Sequence, residues 1–439
     1  MEEVESHRHG GNETRTYSLM RQILIVGAGP AGMLLALGLQ SRGYVVHVIT
    51  DRSVAEVRNG PILSTQCTFS SALASEHRLG GKAWANKAPP IESLGVSVLD
   101  EDGRRAIDWM GKLDGVAQSI DQRLKVTQWM DVFVELGGHL EVRRVLPDEL
   151  SRLSSHYELT IVASGRGDLS NIFPRNEGRS IFNSPQRELA ACYVKGLSSR
   201  DNQAAEAIHC NILPGLGEFF VMPCLTEHGR CDILFWEAIP GGPLDVFKEI
   251  SGAQEHLDTT LALMEKFVPW EYERAKGVAL SDSSAVLTGR VSPGVRDAVA
   301  NLSGQLVLGM ADAVVTNDPI AGQGGNLAAL CAETYLSAIV EQGNRPFDEA
   351  FMRKAFERYW AYAEHAYRWS SALLAPPPAH VLELLATASS LPTVADRFAN
   401  GFNDPSDFDD WLYDAEKAED FIDREIAFND GGSVTSEFS

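Results

Sequence analysis

Short apolar runs interrupted by glycines dominate the first part of the chain. Residues 23–26 (Ile-Leu-Ile-Val) are continuous and rich in β-branched side chains, the pattern of a strand buried on both faces in a parallel sheet. Met33 to Leu39 read as a helix stopped near Gly43, and residues 44–49 as a second strand. By count alone, 23–40 could cross a bilayer. Its interruption at Gly27-Ala28-Gly29-Pro30-Ala31-Gly32 argues instead for a tight strand-to-helix turn.

Further on, 122–136 has helical periodicity, and 140–145 and 159–163 read as strands. Residues 188–238 alternate in strand-like runs, the pattern of an antiparallel sheet. Helices are expected near 255–267 and 269–276, a strand at 306–308, and a long apolar helix from Asn326 to about Val340. Past 345 the pattern is helical, with Trp360 and Trp369 read as core.

Composition narrows the classes. Net charge is −22, which argues against nucleic acid or anionic lipid as a partner. From Asp404 to Ser439 there are twelve Asp/Glu against two Lys/Arg, read as a solvated helical face or frayed tail. The six cysteines are scattered without a C-x-x-C, and no histidine spacing suits a metal. Reduced thiols in a cytoplasmic protein are expected, with no metal site. Residues 1–20 form a polar leader, expected to be disordered, without the apolar core of a secretory signal.

The chemistry begins at Gly27, Gly29 and Gly32, which have G-x-G-x-x-G spacing between a strand and a helix. Gly27 permits the turn, Gly29 lets a pyrophosphate approach the backbone, and Gly32 lets helix and strand pack closely. Pro30 and Ala31 lie in the turn beside the cofactor, and the unpaired N–H groups of the helix start face the phosphates. Asp51, 24 residues after Gly27, can accept from a ribose diol, and Arg52 can lie on the adenine. FAD and NAD both fit at this point.

A second glycine-rich segment favours the flavin. After the strand at 306–308 come Gly309, Asp312, Pro319, Gly322, Gly324, Gly325 and Asn326. Asp312 can bind a ribityl hydroxyl, and the 324–326 amides can face a partly anionic ring. This Gly-x-x-Asp followed by Pro-x-x-Gly-x-Gly-x-Asn resembles the flavin-binding end of the para-hydroxybenzoate hydroxylase-like FAD monooxygenases. "GMADAVVTNDPIAGQGGNLAA", "SIDQRL", "YELTIVASGRG" and the segment 371–405 resemble more closely the oxygenase component of two-component styrene and indole monooxygenases. The resemblance runs from about residue 21 to about 415. It implies an α/β fold: a Rossmann-type FAD-binding domain, an antiparallel β-sheet substrate domain and C-terminal helices. The expected division is 21–68, 104–187 and 281–345 for FAD, and 69–103 and 188–280 for substrate. Helices at 346–430 and a tail at 431–439 complete it.

In the resembled family the segment after the second strand, here 59–74, passes beside the isoalloxazine. Ser64 and Gln66 match the indole branch, and Thr68 stands where that branch has Met. Ser93 and Val96 replace a Tyr and a His of the styrene branch, Ala117 matches the indole branch, and Pro61 stands where styrene enzymes have an Arg. These positions make Ser64, Gln66, Thr68, Ser93, Val96 and Ala117 the expected substrate pocket. Arg123 matches a position that contacts the FAD. Physical chemistry agrees with an indole: its N–H, buried unpaired, costs roughly 1–3 kcal/mol, and Gln66 or Ser64 offers an acceptor.

No Ser-His-Asp, Cys-His or paired-carboxylate arrangement stands out, which suits an enzyme whose cofactor carries the chemistry. The resemblance implies that a separate NAD(P)H-dependent flavin reductase supplies reduced FAD, and that O2 then gives a flavin C4a-hydroperoxide. The expected reaction is epoxidation or hydroxylation of the C2=C3 bond of a small aromatic substrate, an indole, by a homodimer. A styrene-type alkene epoxidase, a single-component NADPH-dependent aromatic hydroxylase and a flavin-storing protein are the alternatives.

Overall fold

The computed structural model describes residues 21–81, 84, 86–165, 167–200 and 206–433. The expected leader, Arg166 and the last six residues of the expected tail lie outside them. The chain begins with β1 (Gln22–Val26), α1 (Pro30–Gln40) and β2 (Val45–Thr50). α2 (Val54–Arg58) and α3 (Ser70–Arg78) bracket an extended strap, and β3 (Ile91–Leu99) and β4 (Arg105–Ala117) form a hairpin. Then come α4 (Gln122–Glu135), β5 (His139–Val142), α5 (Pro147–Ser154) and β6 (Leu159–Val162). β7 (Glu188–Lys195), β8 (Glu206–Leu213), β9 (Gly217–Thr226) and β10 (Gly229–Ala238) precede α6 (Ala253–Phe267) and α7 (Pro269–Ala275). The short strands β11 (Ala279–Leu280), β12 (Val286–Arg290), β13 (Gly294–Val295), β14 (Val299–Leu302), β15 (Gln305–Gly309) and β16 (Val315–Thr316) follow. The helices α8 (Gln323–Gln342), α9 (Glu349–Leu373), α10 (Ala379–Ala388), α11 (Pro392–Asn400) and α12 (Ala415–Ser433) close the described chain.

Two main sheets organise these elements. The first has six strands in the order β14-β15-β6-β1-β2-β5. All its pairings are parallel except β14 with β15. β1 sits near its centre and is buried over Ile23–Val26, as its unbroken apolar run requires. The second sheet has eight strands in the order β11-β7-β10-β9-β8-β3-β4, with β12 also on β7. It is antiparallel except for β3 with β8, a crossover that the alternation at 188–238 could not reveal.

Three segments fall elsewhere than the expected division. Residues 105–117, assigned to the FAD part, form β4 of the eight-stranded sheet, paired with β3 and packed against α11. β12, also assigned there, pairs with β7. Conversely α3, assigned to the substrate part, packs on α8 beside the six-stranded sheet. A strand's local pattern says that it pairs, not with which sheet.

Separate apolar cores follow. One fills the space around the six-stranded sheet, α1, α4, α8 and α9. A second lies between the eight-stranded sheet and α10–α12, and a third between that sheet's other face and α6–α7.

Candidate functional site

Strands β1, β6 and β15 are parallel, so their carboxyl ends share one edge, where open α/β sheets bind ligands. At the end of β1, Gly27 has φ +119°, and a Cβ there would lie 2.8 Å from the Ala163 carbonyl carbon. A Cβ on Gly32 would lie 2.0 Å from the Gly27 oxygen. These two glycines are demanded by the chain's own packing. Gly29 is not: among the described residues, a Cβ there meets nothing within 4 Å. Its openness is of use only to something that approaches from outside. α1 starts at Pro30 and Ala31 with no acid in its first turn and no side-chain cap, so its leading N–H groups are available to an anion. Asp51 and Arg52 stand exposed just past β2, their side chains 3.8 Å apart.

The flavin end is built from β6, β15 and α8. The Met310 N–H donates to the Val162 carbonyl at 3.0 Å, and Gly165 packs closely on the Asp312 Cβ. Asp312 is exposed on this edge beside Ala311, whose φ of +48° is a strained turn for a residue with a Cβ. α8 begins after Gly322 (φ +63°), again with no acid in its first turn and no side-chain cap. Gly322 and Gly324 face open space, and the nearest atom to a Cβ on Gly325 is the Gln66 Cβ at 3.9 Å. Two uncapped helix N-termini, each with a glycine that packing does not require, fit the pyrophosphate and the ring of FAD. The expected role of Asn326 concerns its backbone amide, while its side chain serves the strap. Its side chain is 3% exposed and fully used: Oδ1 accepts the Phe69 N–H at 2.8 Å, and Nδ2 donates to Cys67 O at 2.9 Å and Gly322 O at 2.8 Å. It braces the strap against α8.

That strap, 59–69, is held from many sides. The Tyr193 hydroxyl donates to Ser64 O at 2.7 Å, and the Ile62 N–H to Ser284 O at 3.3 Å. Thr68 exchanges backbone bonds with Gln118 at 2.8 and 2.9 Å. The Gln66 Nε2 donates to Ile120 O, while its Oε1 accepts the Ser64 hydroxyl at 2.8 Å. Between strap and eight-stranded sheet lies a concavity whose space between atoms, open solvent included, is about 430 Å³. Its walls are Phe69, Leu94, Ile208, Phe220, Met222 and Phe235 on one side, and Pro319 to Gly322 on the other. Phe402, from the loop after α11, closes an end. Such an apolar concavity with few polar groups is what a small aromatic molecule needs.

Of the six expected pocket residues, Gln66 lines this cavity and Ser64 reaches it through its bond to Gln66. The others do not form its wall. Thr68 turns its hydroxyl toward Lys125 Nζ at 3.4 Å, whose ammonium pairs with Glu76 at 2.5 Å in a buried site. Ser93 lies on the opposite face of β3 from Leu94, because side chains alternate along a strand. Val96 and Ala117 are buried on the cavity face of the sheet but away from the opening. The expected positions thus reach the right strand, with Val96 on the cavity face and Ser93 on the other.

Arg123, expected to contact the FAD, has its charge committed within the chain. It is buried and forked between carboxylates: Nε to Asp121 at 2.8 Å and Nη2 to Asp282 at 2.9 Å, with Gly60 O taking Nη1 at 3.2 Å. Burial opposes its charge, but the bonds to Asp282 and Asp121 outweigh this and raise its pKa. Burial acts to raise the Asp282 pKa, yet Arg123 and the Ser284 N–H hold it below the usual range. Arg123 thus ties α4, the strap and the segment before β12 together. Asp282, Tyr193 and the aromatic wall were not singled out from sequence; alternation marked β9 and β10 as strands but not which face turns to the cavity. The six cysteines are buried and unbridged. Among the described residues no group of His, Cys, Asp and Glu is arranged to hold a metal, and no helix is long and apolar enough to cross a membrane.

Comparison with known proteins adds to this geometry. Residues 165–274, which include β7–β10, α6 and all but the last residue of α7, match the family described as "Styrene monooxygenase A putative substrate binding domain". Styrene monooxygenase StyA of Pseudomonas fluorescens is 30% identical over 402 residues, covering 88% of this chain and 94% of that protein. StyA of a Pseudomonas species is 29% identical over the same length and shares. Among solved structures, the flavin-dependent brominase Bmp2 superposes with TM-score 0.59 at 14% identity, over 93% of this chain and 99% of its own. p-Nitrophenol 4-monooxygenase PnpA from Pseudomonas putida DLL-E4 gives 0.56 at 14%, over 88% and 98%. The fold is therefore the expected α/β one, Rossmann-type and para-hydroxybenzoate hydroxylase-like, with a sheet domain and C-terminal helices.

Proposed function

The chain belongs to the styrene monooxygenase family, an FAD-dependent monooxygenase that uses FAD and O2, and on that premise we propose that its substrate is an indole, oxygenated at the C2=C3 bond. The observation that carries the proposal is the apolar cavity with one polar couple, Ser64 and Gln66, at its edge. Reduced FAD, when bound, supplies the activation of O2. The protein's share is placement. Gly29 and the α1 amides receive the pyrophosphate, and Asp51 and Arg52 the adenosine. Asp312, Pro319 and the Gly324–Gly325 amides receive the ribityl chain and ring, and Arg123 supports this side through the strap. The braced strap excludes water, and the aromatic walls hold the substrate's ring in place.

The Ser64 hydroxyl and Gln66 Oε1 each keep an acceptor lone pair after bonding one another. An indole N–H directed there stays paired, whereas in a wholly apolar pocket it would cost roughly 1–3 kcal/mol. Reduced FAD comes, in this reading, from a separate NAD(P)H-dependent reductase. In support, the sequence contains one G-x-G-x-x-G that opens a strand-helix-strand unit. Styrene-type alkene epoxidation is the second reading, favoured by the activity named for both relatives.

The test supplies reduced FAD chemically, then air, with indole or with indene, its carbon isostere lacking the N–H. Indole should be turned over with kcat/KM at least about fivefold above indene, and Gln66→Met should lower indole about tenfold more than indene. Equal losses on both would assign Gln66 to strap support alone and favour the styrene reading. Substrate-stimulated NADPH oxidation by the isolated chain would overturn the two-component assignment.

A further inference from the structure

On β9 and β10, Phe220 and Phe235 face each other on the cavity wall, their rings 5.7 Å apart. Two residues along each strand, on the same face, Glu218 and Glu237 face each other in turn. A layer of carboxyl groups therefore continues the apolar wall. Asp318 joins it from the other side. Its Oδ1 accepts the Ile320 N–H at 3.2 Å and so caps the short turn Pro319–Ala321, which is the opposite wall of the cavity. Glu237 and Asp318 are 0% exposed and Glu218 is 8%.

The charges in this layer do not balance if every acid is ionised. The cation facing it is Arg187, 6% exposed, which forks onto Glu218 at 2.7 and 2.8 Å. Glu237 and Asp318 are left to each other. Among the described residues no N–H or O–H reaches either Glu237 oxygen or Asp318 Oδ2, yet the two side chains lie within hydrogen-bonding distance of one another. Two carboxyl groups bond only if one of them retains a proton, and two unpaired buried carboxylates in contact would be severely destabilising.

We propose that Glu237 is a positioning residue of the oxygenation cavity: its carboxyl stays protonated, donates to Asp318 Oδ2, and so holds the Pro319–Gly322 wall against the sheet. Asp318 is the better anion of the two because the Ile320 N–H already serves its other oxygen. Burial, reinforced by Asp318 and Glu218, pushes the Glu237 carboxyl well above the ordinary range, and burial raises Asp318 to about 6. The groups facing Glu237 are Asp318 on the turn, Glu218 on β9, Cys210 on β8 and Arg187 before β7. Of these Arg187 alone opposes the proton, and it is committed to Glu218. Gly322 follows the held turn and starts the helix whose amides face the flavin ring, so release of the turn would move both the substrate wall and the ring's seat.

The inference rests on this cavity being the oxygenation site, not on which alkene it takes. Because the folded-state pKa of Glu237 is raised, the stability it contributes is full below the ordinary glutamate value and declines as pH rises through the folded value. Glu237→Gln keeps a neutral donor to Asp318, whereas Glu237→Leu keeps size without a donor. The experiment measures the Tm of the cofactor-free chain from pH 5 to 9, and kcat and KM with supplied reduced FAD on whichever of indole and styrene is turned over. Relative to the wild type, the Gln variant should gain Tm as pH rises, and its KM should stay within about twofold while the wild-type KM climbs at alkaline pH. The Leu variant should raise KM about tenfold with kcat little changed. The proposal is overturned if the Gln variant follows the wild type's pH dependence in Tm and KM, or loses substrate affinity as the Leu variant does. Should the Leu variant not fold, the Gln comparison still decides. A wild type inactive on both substrates would count against the function proposed above and leave the Tm comparison to judge this one.

Discussion

Asn326→Ala removes the brace between strap and α8, and its cost can be worked from three bonds. The buried side chain accepts from the Phe69 N–H and donates to Cys67 O and Gly322 O at 2.8–2.9 Å. Each such bond contributes about 0.5–1.5 kcal/mol net, and an N–H left unpaired in the interior costs roughly 1–3 kcal/mol. The three share one side chain and are not additive, so about 3 kcal/mol is the expected loss. With roughly 2 cal/mol/K of unfolding entropy per residue, a chain of 439 residues melting as one unit would lose about 3 °C. The assay is thermal unfolding of the cofactor-free protein beside an FAD titration. A brace predicts that Tm falls without FAD present, and that affinity for FAD falls as well because the α8 N-terminus loosens. An unchanged cofactor-free Tm with weakened FAD binding would refute the reasoning and assign the Asn326 side chain to the cofactor. Asn326→Asp should be no milder than alanine, since it still serves the Phe69 N–H but turns an acceptor toward two carbonyls.

Other expectations follow from the same geometry. Gly29→Val puts a side chain where no described atom stands within 4 Å; FAD affinity should fall at least about tenfold while the cofactor-free Tm moves by no more than about 1 °C, both read in one titration and melting series. Gly32→Ala should do the reverse, since its Cβ would lie 2.0 Å from the Gly27 oxygen, and soluble expression or Tm will report it. Arg123→Leu leaves Asp121 and Asp282 without their cation. Because Asp282 has a lowered pKa in the fold, its ion-pair stability is present above the ordinary aspartate value and lost as pH falls through the lowered one. The Tm gap between variant and wild type should therefore be wide at pH 7 and narrow below about pH 4; a gap independent of pH would show that Arg123 acts by packing alone.

The comparison of residues with structure separates two kinds of information. Local features were legible. The buried strand at 23–26, the glycine turn and the helix over Met33–Leu39 all follow from steric rules that act within ten residues; strand and turn stand where the pattern puts them, and the helix starts three residues earlier, at Pro30. The second glycine segment, the helix after it and the strand-rich middle were equally plain. Side-chain assignments that needed a partner distant in sequence were not. Leu94 rather than Ser93 faces the cavity; the alternation of Leu94, Val96 and Val98 with Ser93, Gly95 and Ser97 marks that apolar face, but not that it meets the strap. Asn326 fits a cofactor motif by position, but the three partners of its side chain, two of them more than 250 residues away, commit that side chain to the strap. β4 reads as a strand in either sheet and joins the larger one through β3 and α11.

The kind of machine follows from the order of residues: a nucleotide cradle of two glycine turns at helix starts, an apolar middle, and the small-residue positions that only a close approach of backbone or phosphate requires. Those are set by backbone sterics and short-range periodicity, which the order of residues states directly. Tertiary structure alone decided which side chains are spent on holding the strap, which wall the cavity, and that Glu237 meets Asp318 in a dry layer beside it. Hydrogen bonds and buried charges are pairwise, and their partners are chosen by how the two sheets meet, across 81 residues in that last case.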